Sequence, residues 1–410
     1  MKRFLLLVAI AVLAAAPAAL LALSGRRFDP IVDAAIFGTG ILAAGFLLSW
    51  GAEAAERHIA QGLVLAGVAL ITVLPEYAVD FYYAFQAGHA GPGSAYVHYA
   101  AANMTGANRL LVGLAWPLLV FLHWLKNRNR AIELGDGNAI EISFLLVASL
   151  YAFVVLFKAQ IGLPDFAVLA AIYAAYIWRV RHIRKAEDAD DEGEPGPAAA
   201  LDALPVRQQW AMMAALAAVA CAVILLSAEH FAEAMVDSGR SLGINEFLLI
   251  QWLAPLASEA PAVSVAILFV LAGRAAGGLT TMISDKINQW TLLVGMLPVA
   301  MSIGAGAATA LPLDARQGEE FFLTGAQSLL GVALLLRLRL GLPSACLLLV
   351  MFAAQVGLAY HYRDNEAATI STLTALAWVY LAFAFVVLLP NARRLLVMLR
   401  FAFSVPAARR

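Results

Sequence analysis

The chain has 410 residues, of which 62% are hydrophobic and only 13% are charged, and its formal net charge is −1. A soluble domain of this length needs a larger charged surface, and so small a net charge excludes the basic field that nucleic-acid binding requires. The two cysteines, Cys221 and Cys346, both lie in apolar runs, which is neither a disulfide framework nor a zinc-binding spacing. The composition therefore indicates an integral membrane protein.

Twelve apolar runs are long enough to cross a bilayer as a helix, which takes about 20 residues. We therefore predict an all-α polytopic membrane protein with about 12 transmembrane helices. The first run follows Lys2 and Arg3 and is either a cleaved signal peptide or a retained helix, and its length favours the helix. The predicted spans are residues 4–23, 30–50, 60–85, 97–124, 138–158, 163–180, 209–235, 244–272, 278–302, 320–338, 342–360 and 368–390.

The positions of the basic residues predict the orientation of these spans. With the N-terminus inside, most of the 27 Lys and Arg residues fall in cytoplasmic segments. Cytoplasmic loops of membrane proteins carry such an excess. We therefore predict a multi-pass protein of the plasma (inner) membrane with both termini in the cytoplasm.

The only long polar connection between spans is about residues 182–207. It contains a run of acidic residues from Glu187 to Glu194, followed by a stretch rich in Pro and Ala. This composition is typical of a solvated, flexible linker. A regulatory cation site is the alternative, but no ligand spacing supports it.

Sequence features on the two sides of this linker recur in the same order. Glu141 opens a span that resembles the one opened by Glu320, 179 residues later, and Glu76 corresponds to Glu259 after 183 residues. A Leu-Leu-Val-Gly run between these features is repeated after 182 residues. The chain therefore contains an internal repeat.

Each repeat would hold five helices, and this odd number makes the second repeat enter the membrane from the opposite side. Inverted repeats of this kind are typical of secondary transporters, which hold their substrate near the midplane. A structural echo of gene duplication is the alternative. The predicted domains are an N-terminal transmembrane helix at 1–29, a first repeat at 30–181, a cytoplasmic acidic linker at 182–207, a second repeat at 208–361, and a C-terminal transmembrane helix with a basic tail at 362–410.

Two glutamates, Glu76 and Glu259, lie in the middle of apolar runs and beside Pro75 and Pro261. A charged group at this depth costs several kcal/mol and is a functional candidate for that reason. A proline frees a backbone carbonyl one turn earlier, so a helix broken there would offer a cation both carbonyl and carboxylate oxygens. Irregular backbone is tolerated at this depth where it lines a polar cavity. Two structural kinks are the alternative, but the matching placement favours cation binding.

A polar cluster follows each glutamate in the next span. It contains Asn103 and Asn108 in the first repeat and Asp285 and Asn288 in the second. Their oxygens suit hard cations, and hydrogen bonding between helices is the alternative. Asp80, one helical turn after the first glutamate, either shares its face or faces the outer vestibule.

Three other residues of these clusters attract notice. Lys286 forms an internal ion pair with the preceding Asp285, or its ammonium occupies a cation site as a tethered charge. Arg109 presents the same two alternatives. Gly106, between the two asparagines, would let helices approach closely.

The segment Gly51–Glu76 resembles the first α-repeat of the sodium/calcium exchanger (cation/calcium antiporter) superfamily, and the segment Leu242–Pro261 resembles the second. In that family the glutamates of two Gly-Thr-Ser-Leu-Pro-Glu motifs bind the transported cation, so the resemblance implies this role for Glu76 and Glu259. A later Gly-Ser-Asn-type motif of the family contributes Asn or Asp ligands. The best-matching positions are Asn103 or Asn108 in the first repeat and Asp285 or Asn288 in the second.

The chain departs from the family pattern at the hydroxyl residues. Thr72 is followed by Val73 instead of serine, and Ser258 directly precedes the second glutamate. In the family such hydroxyls serve sodium sites, so Thr72 and Ser258 are candidate ligands as well. The departures, together with Lys286, argue against coupling to several sodium ions.

The resemblance and the two glutamates predict a secondary active antiporter that exchanges a cation, foremost Ca²⁺, against Na⁺ or H⁺ by alternating access. The alternatives are a Na⁺/H⁺ antiporter of the same fold and a non-transporting membrane sensor or scaffold. We expect no enzymatic activity, because the sequence has no phosphate loop, nucleophile elbow or His-x-x-x-His motif. We also expect no cofactor, and the expected partners are inorganic cations and membrane lipid, not nucleic acid.

Overall fold

The computed structural model describes residues 1–55, 73–183, 197–243 and 246–404, and these residues are almost entirely helical. The helices are numbered here in chain order. They are α1 (Lys2–Ser24), α2 (Pro30–Ala55), α3 (Leu74–Ala90), α4 (Ala95–Leu110), α5 (Trp116–Asn127), α6 (Ala139–Lys158), α7 (Leu163–Ile183), α8 (Val206–Leu242), α9 (Glu246–Leu271), α10 (Ala275–Asn288), α11 (Val294–Ala305), α12 (Ala315–Leu335), α13 (Leu342–His361), α14 (Glu366–Leu388) and α15 (Ala392–Phe403).

Ten segments of the described chain are helical, long and apolar enough to cross a membrane. They correspond to ten of the twelve predicted spans. Most of the predicted span 60–85 lies outside the described residues, which resume just before α3. The predicted span 320–338 corresponds to the helix α12, which is not among these ten and carries Arg316, Glu319 and Glu320 in its first two turns. The predicted count of 12 stays a prediction.

Two π-helical turns interrupt these segments, Leu111–Ala115 between α4 and α5 and Gln289–Leu293 between α10 and α11. The first begins three residues after Asn108 and the second directly after Asn288. Single π turns inside α-helices are frequent at functional sites. A π-helical turn, which is wider than an α-helical one, therefore follows each of the two predicted polar clusters.

The chain forms two compact units. One, unit 1, comprises Met1–Ala107, Glu192–Val265 and Ala300–Gly306. The other, unit 2, comprises Asn108–Asp191, Ala266–Val299 and Ala307–Arg410. Each unit takes segments from both predicted repeats, and the predicted domain boundaries stay a prediction.

In unit 1 the helices α1, α2 and α8 pack against one another, and α3 packs on α8. Small residues allow the helix axes to come close, as is common in membrane bundles. A Cβ atom at Gly40 of α2 would overlap the side chain of Ala18 in α1, and one at Gly45 would overlap the ring of Pro261 in α9. The helix that carries Glu259 therefore lies directly against α2.

The helices α3 and the end of α11 touch through their backbones in unit 1. A Cβ at Gly88 of α3 would overlap the carbonyl oxygen of Met301, and one at Gly304 of α11 would overlap the carbonyl oxygen of Phe85. The two glycines therefore make a reciprocal contact in which neither helix has space for a side chain.

In unit 2 the helix α12 packs against α6 and α14, and α6 also packs against α7, α10 and α15. Two short antiparallel ladders flank α6 and α12. The strand β1 (Ala131–Glu133) precedes α6 and pairs with β4 (Arg339–Gly341), which follows α12. The strand β2 (Gln160–Ile161) follows α6 and pairs with β3 (Leu311–Pro312), which precedes α12.

The segment β1–α6–β2 and the segment β3–α12–β4 are thus paired reciprocally, because the first strand of each pairs with the last strand of the other. The segments Gly162–Pro164 and Gly341–Pro343 share the sequence Gly-Leu-Pro and also correspond, because α7 begins at Leu163 and α13 at Leu342, with proline in the first turn of each. Proline is favoured there because the first helical N–H has no intrahelical acceptor. Two segments related by a two-fold symmetry axis would pair in this reciprocal way. The full inverted repeat stays a prediction.

Candidate functional site

The first predicted ligand, Glu76, lies in the first turn of α3, which starts at Leu74 with Pro75 beside it. Its side chain is 1% exposed. The N-terminal end of a helix carries partial positive charge, which stabilises an ionised carboxylate in this position. The helix α3 starts beside Pro75, but residues 56–72 lie outside the described residues, so the predicted interruption stays a prediction. Thr72 lies outside the described residues.

The second predicted ligand, Glu259, is 2% exposed and lies in the middle of α9. The helix is continuous from Glu246 to Leu271 and contains Pro255 and Pro261. Neither proline has an N–H, so the carbonyls of Gln251 and Ala257 lose their usual intrahelical donor. The helix is therefore not broken beside Glu259, and the two carbonyls that lack an intrahelical donor lie within a continuous helix.

The carbonyl oxygen of Gln251 faces a neighbouring helix. A Cβ at Gly106 of α4 would overlap this oxygen, so the prediction that Gly106 permits close helix approach is confirmed. Ser258, beside the second glutamate, donates its hydroxyl hydrogen to Ala254 O and Pro255 O, each at 3.3 Å. This leaves the lone pairs of the Ser258 oxygen available to a ligand.

Asp80 and Asn103 form a buried pair in unit 1. The Nδ2 of Asn103 donates to Oδ1 of Asp80 at 2.8 Å, and both side chains are almost fully buried. Among the described residues, Oδ2 of Asp80 and Oδ1 of Asn103 have no hydrogen-bond partner. Two residues that the sequence predicted separately therefore present two oxygen acceptors together, which is the ligand type that hard cations take.

The second polar cluster belongs to unit 2, together with Asn108. Asp285 and Asn288 are both buried on α10. The Nζ of Lys286 lies 2.8 Å from Oδ1 of Asn108 and 3.1 Å from the carbonyl oxygen of the same residue. It also lies 4.6 Å from the centre of a Trp290 ring, which adds a cation–π attraction. The Lys286 ammonium thus donates hydrogen bonds to Asn108, a residue that was predicted to bind the transported cation.

Arg109 forms a buried ion pair. Its guanidinium pairs with Glu320, whose other oxygen lies 2.9 Å from Nη2 of Arg316, and Nη1 of Arg316 lies 3.5 Å from Glu319. Of the two alternatives for Arg109, the structure therefore supports the ion pair. The sequence marked Glu320 as a repeat feature without assigning it a partner, although its position in an apolar run was a signal of a buried charge.

No three His, Cys, Asp or Glu side chains lie together as a metal site among the residues the structure describes. The arrangement is instead one of buried carboxylates, amides and one serine hydroxyl. In unit 1 these are Glu76, Asp80, Asn103, Ser258 and Glu259, and in unit 2 they are Asn108, Asp285 and Asn288.

Known proteins share this architecture. The family model of the sodium/calcium exchanger protein matches residues 31–180. The crystal structure of the H⁺/Ca²⁺ exchanger CAX is 36% identical in sequence, covers 98% of this chain and 98% of its own, and superimposes with a TM-score of 0.89. The chain belongs to the sodium/calcium exchanger (cation/calcium antiporter) superfamily. The predicted family resemblance is therefore confirmed.

Two further solved structures share the fold of this superfamily member. Native YfkE is 15% identical, covers 86% of this chain and 98% of its own, and gives a TM-score of 0.61. The exchanger NCX_Mj is 16% identical, covers 80% and 97%, and gives a TM-score of 0.52. No match was found among curated proteins. The superfamily consists of ion exchangers, which are not enzymes, and this member is an integral multi-pass membrane protein.

Proposed function

We propose that this protein is a secondary active antiporter that exchanges Ca²⁺ against H⁺ by alternating access. The observation that carries the proposal is the similarity to the H⁺/Ca²⁺ exchanger CAX, at 36% identity over 98% of both chains. The transported cation is cargo, and the proposal includes no resident cofactor.

The buried groups of unit 1 support Ca²⁺ as the cargo. Glu76, Asp80 and Glu259 supply carboxylates, and Asn103 supplies an amide oxygen. Ca²⁺ takes six to eight oxygen ligands and accepts irregular geometry. Anionic oxygens that are held out of water favour a divalent cation over a monovalent one because the attraction scales with ionic charge. The ligand set of Glu76, Glu259, Asp80, Asn103, Asn108, Asp285, Asn288, Thr72 and Ser258 stays a prediction.

Lys286 supports H⁺ rather than Na⁺ as the counter-ion. Its ammonium donates to both oxygens of Asn108, and an alkali cation that used these oxygens would have to displace it. We infer that Lys286 acts as a tethered cation and removes one sodium site. Protons remain suitable counter-ions, because a buried carboxyl favours its neutral form while a bound metal favours its ionised form.

The test is Ca²⁺ uptake by proteoliposomes with an acidic interior. Ca²⁺ uptake should follow the pH gradient, and a Na⁺ gradient of equal size should drive none. Glu76→Gln and Glu259→Gln should each abolish uptake, while the matched control Glu366→Gln, an exposed glutamate in the first turn of α14, should retain it. Full uptake by both site variants would reject the ligand assignment.

The same assay separates the alternatives. Na⁺-for-H⁺ exchange that does not respond to Ca²⁺ would identify a sodium/proton antiporter. Cation binding without flux would identify a membrane sensor or scaffold. We further propose that the protein resides in the plasma (inner) membrane with both termini cytoplasmic, which protease access to terminal tags on oriented vesicles would test.

A further inference from the structure

Unit 2 contains a cavity of about 530 Å³ where α12 ends and α13 begins. Three arginines line it, and the remaining lining residues carry no charge. Arg130 precedes β1, Arg337 follows α12, and Arg339 lies in β4. All three side chains are exposed, so solvent or a ligand can reach their guanidinium groups.

The polar wall of this arginine-lined cavity is built by the β1–β4 ladder and by Asn391. The carbonyl of Arg130 accepts a hydrogen bond from Leu342 N at 2.7 Å, which fixes the backbone of Arg130 beside the first turn of α13. Nε of Arg337 donates to Oδ1 of Asn391 at 3.4 Å, and Nδ2 of Asn391 donates to Val387 O at 2.8 Å. Two of the three arginines are thus anchored by neighbours that leave further guanidinium N–H groups available.

One carboxylate lies near the basic wall. Glu133 is opposite Arg339 in the β1–β4 register and is exposed. The described residues that line the cavity carry three positive charges and no negative charge, and Glu133 alone could not neutralise them. Glu133 would compete with an anionic ligand for Arg339.

Aliphatic side chains line much of the rest of the cavity. They include Leu334 at the end of α12, and Val386, Val387 and Pro390 at the end of α14. Val386 is 66% exposed although α14 belongs to a candidate membrane span. An apolar side chain that is so exposed on a membrane helix is suited to contact with lipid chains rather than with water. The cavity therefore has a basic side and a lipid-facing apolar side at the end of a span.

We propose that the arginine-lined cavity binds the headgroup of an anionic phospholipid. Guanidinium groups bind phosphate oxygens through paired, charge-assisted hydrogen bonds, and basic pockets between membrane helices on the cytoplasmic side bind such headgroups. In the predicted orientation, which rests on the excess of basic residues in cytoplasmic segments, these arginines are on the cytoplasmic side. The aliphatic wall selects a lipid over free phosphate, because an acyl chain would lie along Val386. This site is separate from the proposed cation ligands.

The experiment measures the thermal unfolding midpoint of the purified full-length protein in detergent. The ligands are short-chain phosphatidylglycerol, phosphatidylcholine with the same acyl chains, and inorganic phosphate at equal concentration. A ligand that binds only the folded state raises the midpoint. We expect a concentration-dependent rise with phosphatidylglycerol and none with phosphatidylcholine. An equal rise with inorganic phosphate would show a free-anion site and overturn the lipid assignment.

Variants locate the site. The double variant Arg337→Gln/Arg339→Gln should weaken the phosphatidylglycerol effect about tenfold or more, as expected when charge-assisted contacts are lost. The matched control Arg363→Gln, an exposed arginine paired with Asp364, should leave the effect unchanged. An equal response of the double variant and wild type would overturn the proposal.

A further variant avoids loss of folding as an explanation. Glu133→Gln removes the competing carboxylate without removing an arginine, so phosphatidylglycerol should bind more tightly than to wild type, as measured by the concentration at half effect. Weaker binding to Glu133→Gln would contradict the role assigned to Arg339. Failure of Ca²⁺ exchange would not alter these results, because the readout is lipid binding.

Discussion

The ammonium of Lys286 lies 2.8 Å from Oδ1 of Asn108, although the two residues are 178 positions apart in the chain. Amide and carbonyl oxygens of this kind coordinate alkali cations in membrane proteins. The Lys286 ammonium holds two such oxygens of Asn108, and a mobile ion that used them would have to displace it. On the proposed function, Lys286, which is never transported, would help to determine the counter-ion.

Removing this charge should create a cation site. We expect Lys286→Met to gain stabilisation by Na⁺ in thermal unfolding, because the oxygens of Asn108 become available, whereas wild type should show none beyond an ionic-strength effect. The control Lys126→Met changes an exposed lysine and should behave like wild type. Adding Asn108→Leu to Lys286→Met should remove the Na⁺ response. A Na⁺ response equal in wild type and Lys286→Met would contradict the tethered-cation assignment.

The Asp80–Asn103 pair predicts a graded effect on Ca²⁺. Asp80→Asn removes one carboxylate while keeping a similar shape, so the apparent affinity for Ca²⁺ should fall roughly tenfold or more, in line with the loss of a charge-assisted contact. The measurement is initial Ca²⁺ uptake as a function of Ca²⁺ concentration in proteoliposomes. Asp237→Asn, which changes an exposed aspartate of the same unit, should leave the affinity unchanged. Unaltered affinity in Asp80→Asn would remove Asp80 from the ligand set.

The close approach of α4 to α9 predicts a steric effect at Gly106. In Gly106→Ala the new methyl group would overlap the carbonyl oxygen of Gln251, and overpacking of this kind costs about 1–3 kcal/mol. The midpoint of thermal unfolding should therefore fall. Gly277→Ala is the matched control, because nothing lies within 4 Å of its Cβ position, and it should be neutral or slightly stabilising. Equal midpoints for both variants would show that α4 and α9 are further apart.

The Arg109–Glu320 ion pair predicts a large loss of stability from single substitutions. Removal of one partner leaves an uncompensated buried charge, which costs about 3–5 kcal/mol, so Arg109→Met should lower the unfolding midpoint strongly. The double variant Arg109→Met/Glu320→Gln should recover part of that loss. Arg240→Gln breaks the exposed pair with Glu246 and should cost at most about 1 kcal/mol. A double variant less stable than the sum of its single variants would contradict the pairing.

Hydropathy predicted most of the fold, because a lipid-exposed helix must be apolar along about 20 residues wherever it lies in the chain. The helix α12 shows where this reasoning fails. It begins at Ala315, five residues before the predicted span. The prediction started too late because the charged residues Arg316 and Glu319 are typical of a loop. In the structure, however, these two charges are paired inside the protein. Local composition contains no information about such partners.

In the candidate site, too, local sequence identified the buried residues but not their contacts with distant segments. Proline beside a buried glutamate marked Glu76 and Glu259 from the sequence, because both features are costly inside a membrane. The acceptor of the Lys286 ammonium could not be predicted, since Asn108 comes from a distant segment and the adjacent Asp285 offered an equally plausible partner. The hydrogen bond from Asn103 to Asp80, 23 residues earlier in the chain, could not be predicted either, because it depends on how α3 packs against α4.

The reciprocal contact of Gly88 and Gly304 has a mechanical consequence for the helix that begins beside Glu76. Side chains at a helix crossing can change rotamer and absorb sliding, but here the peptide groups of α3 and α11 touch directly. A rotation of α3 would therefore carry the last turn of α11 with it as a rigid body, since packed interiors are nearly incompressible. On the proposed function, a cation that binds at Glu76 at one end of α3 would therefore be linked to the position of a second helix at the other end.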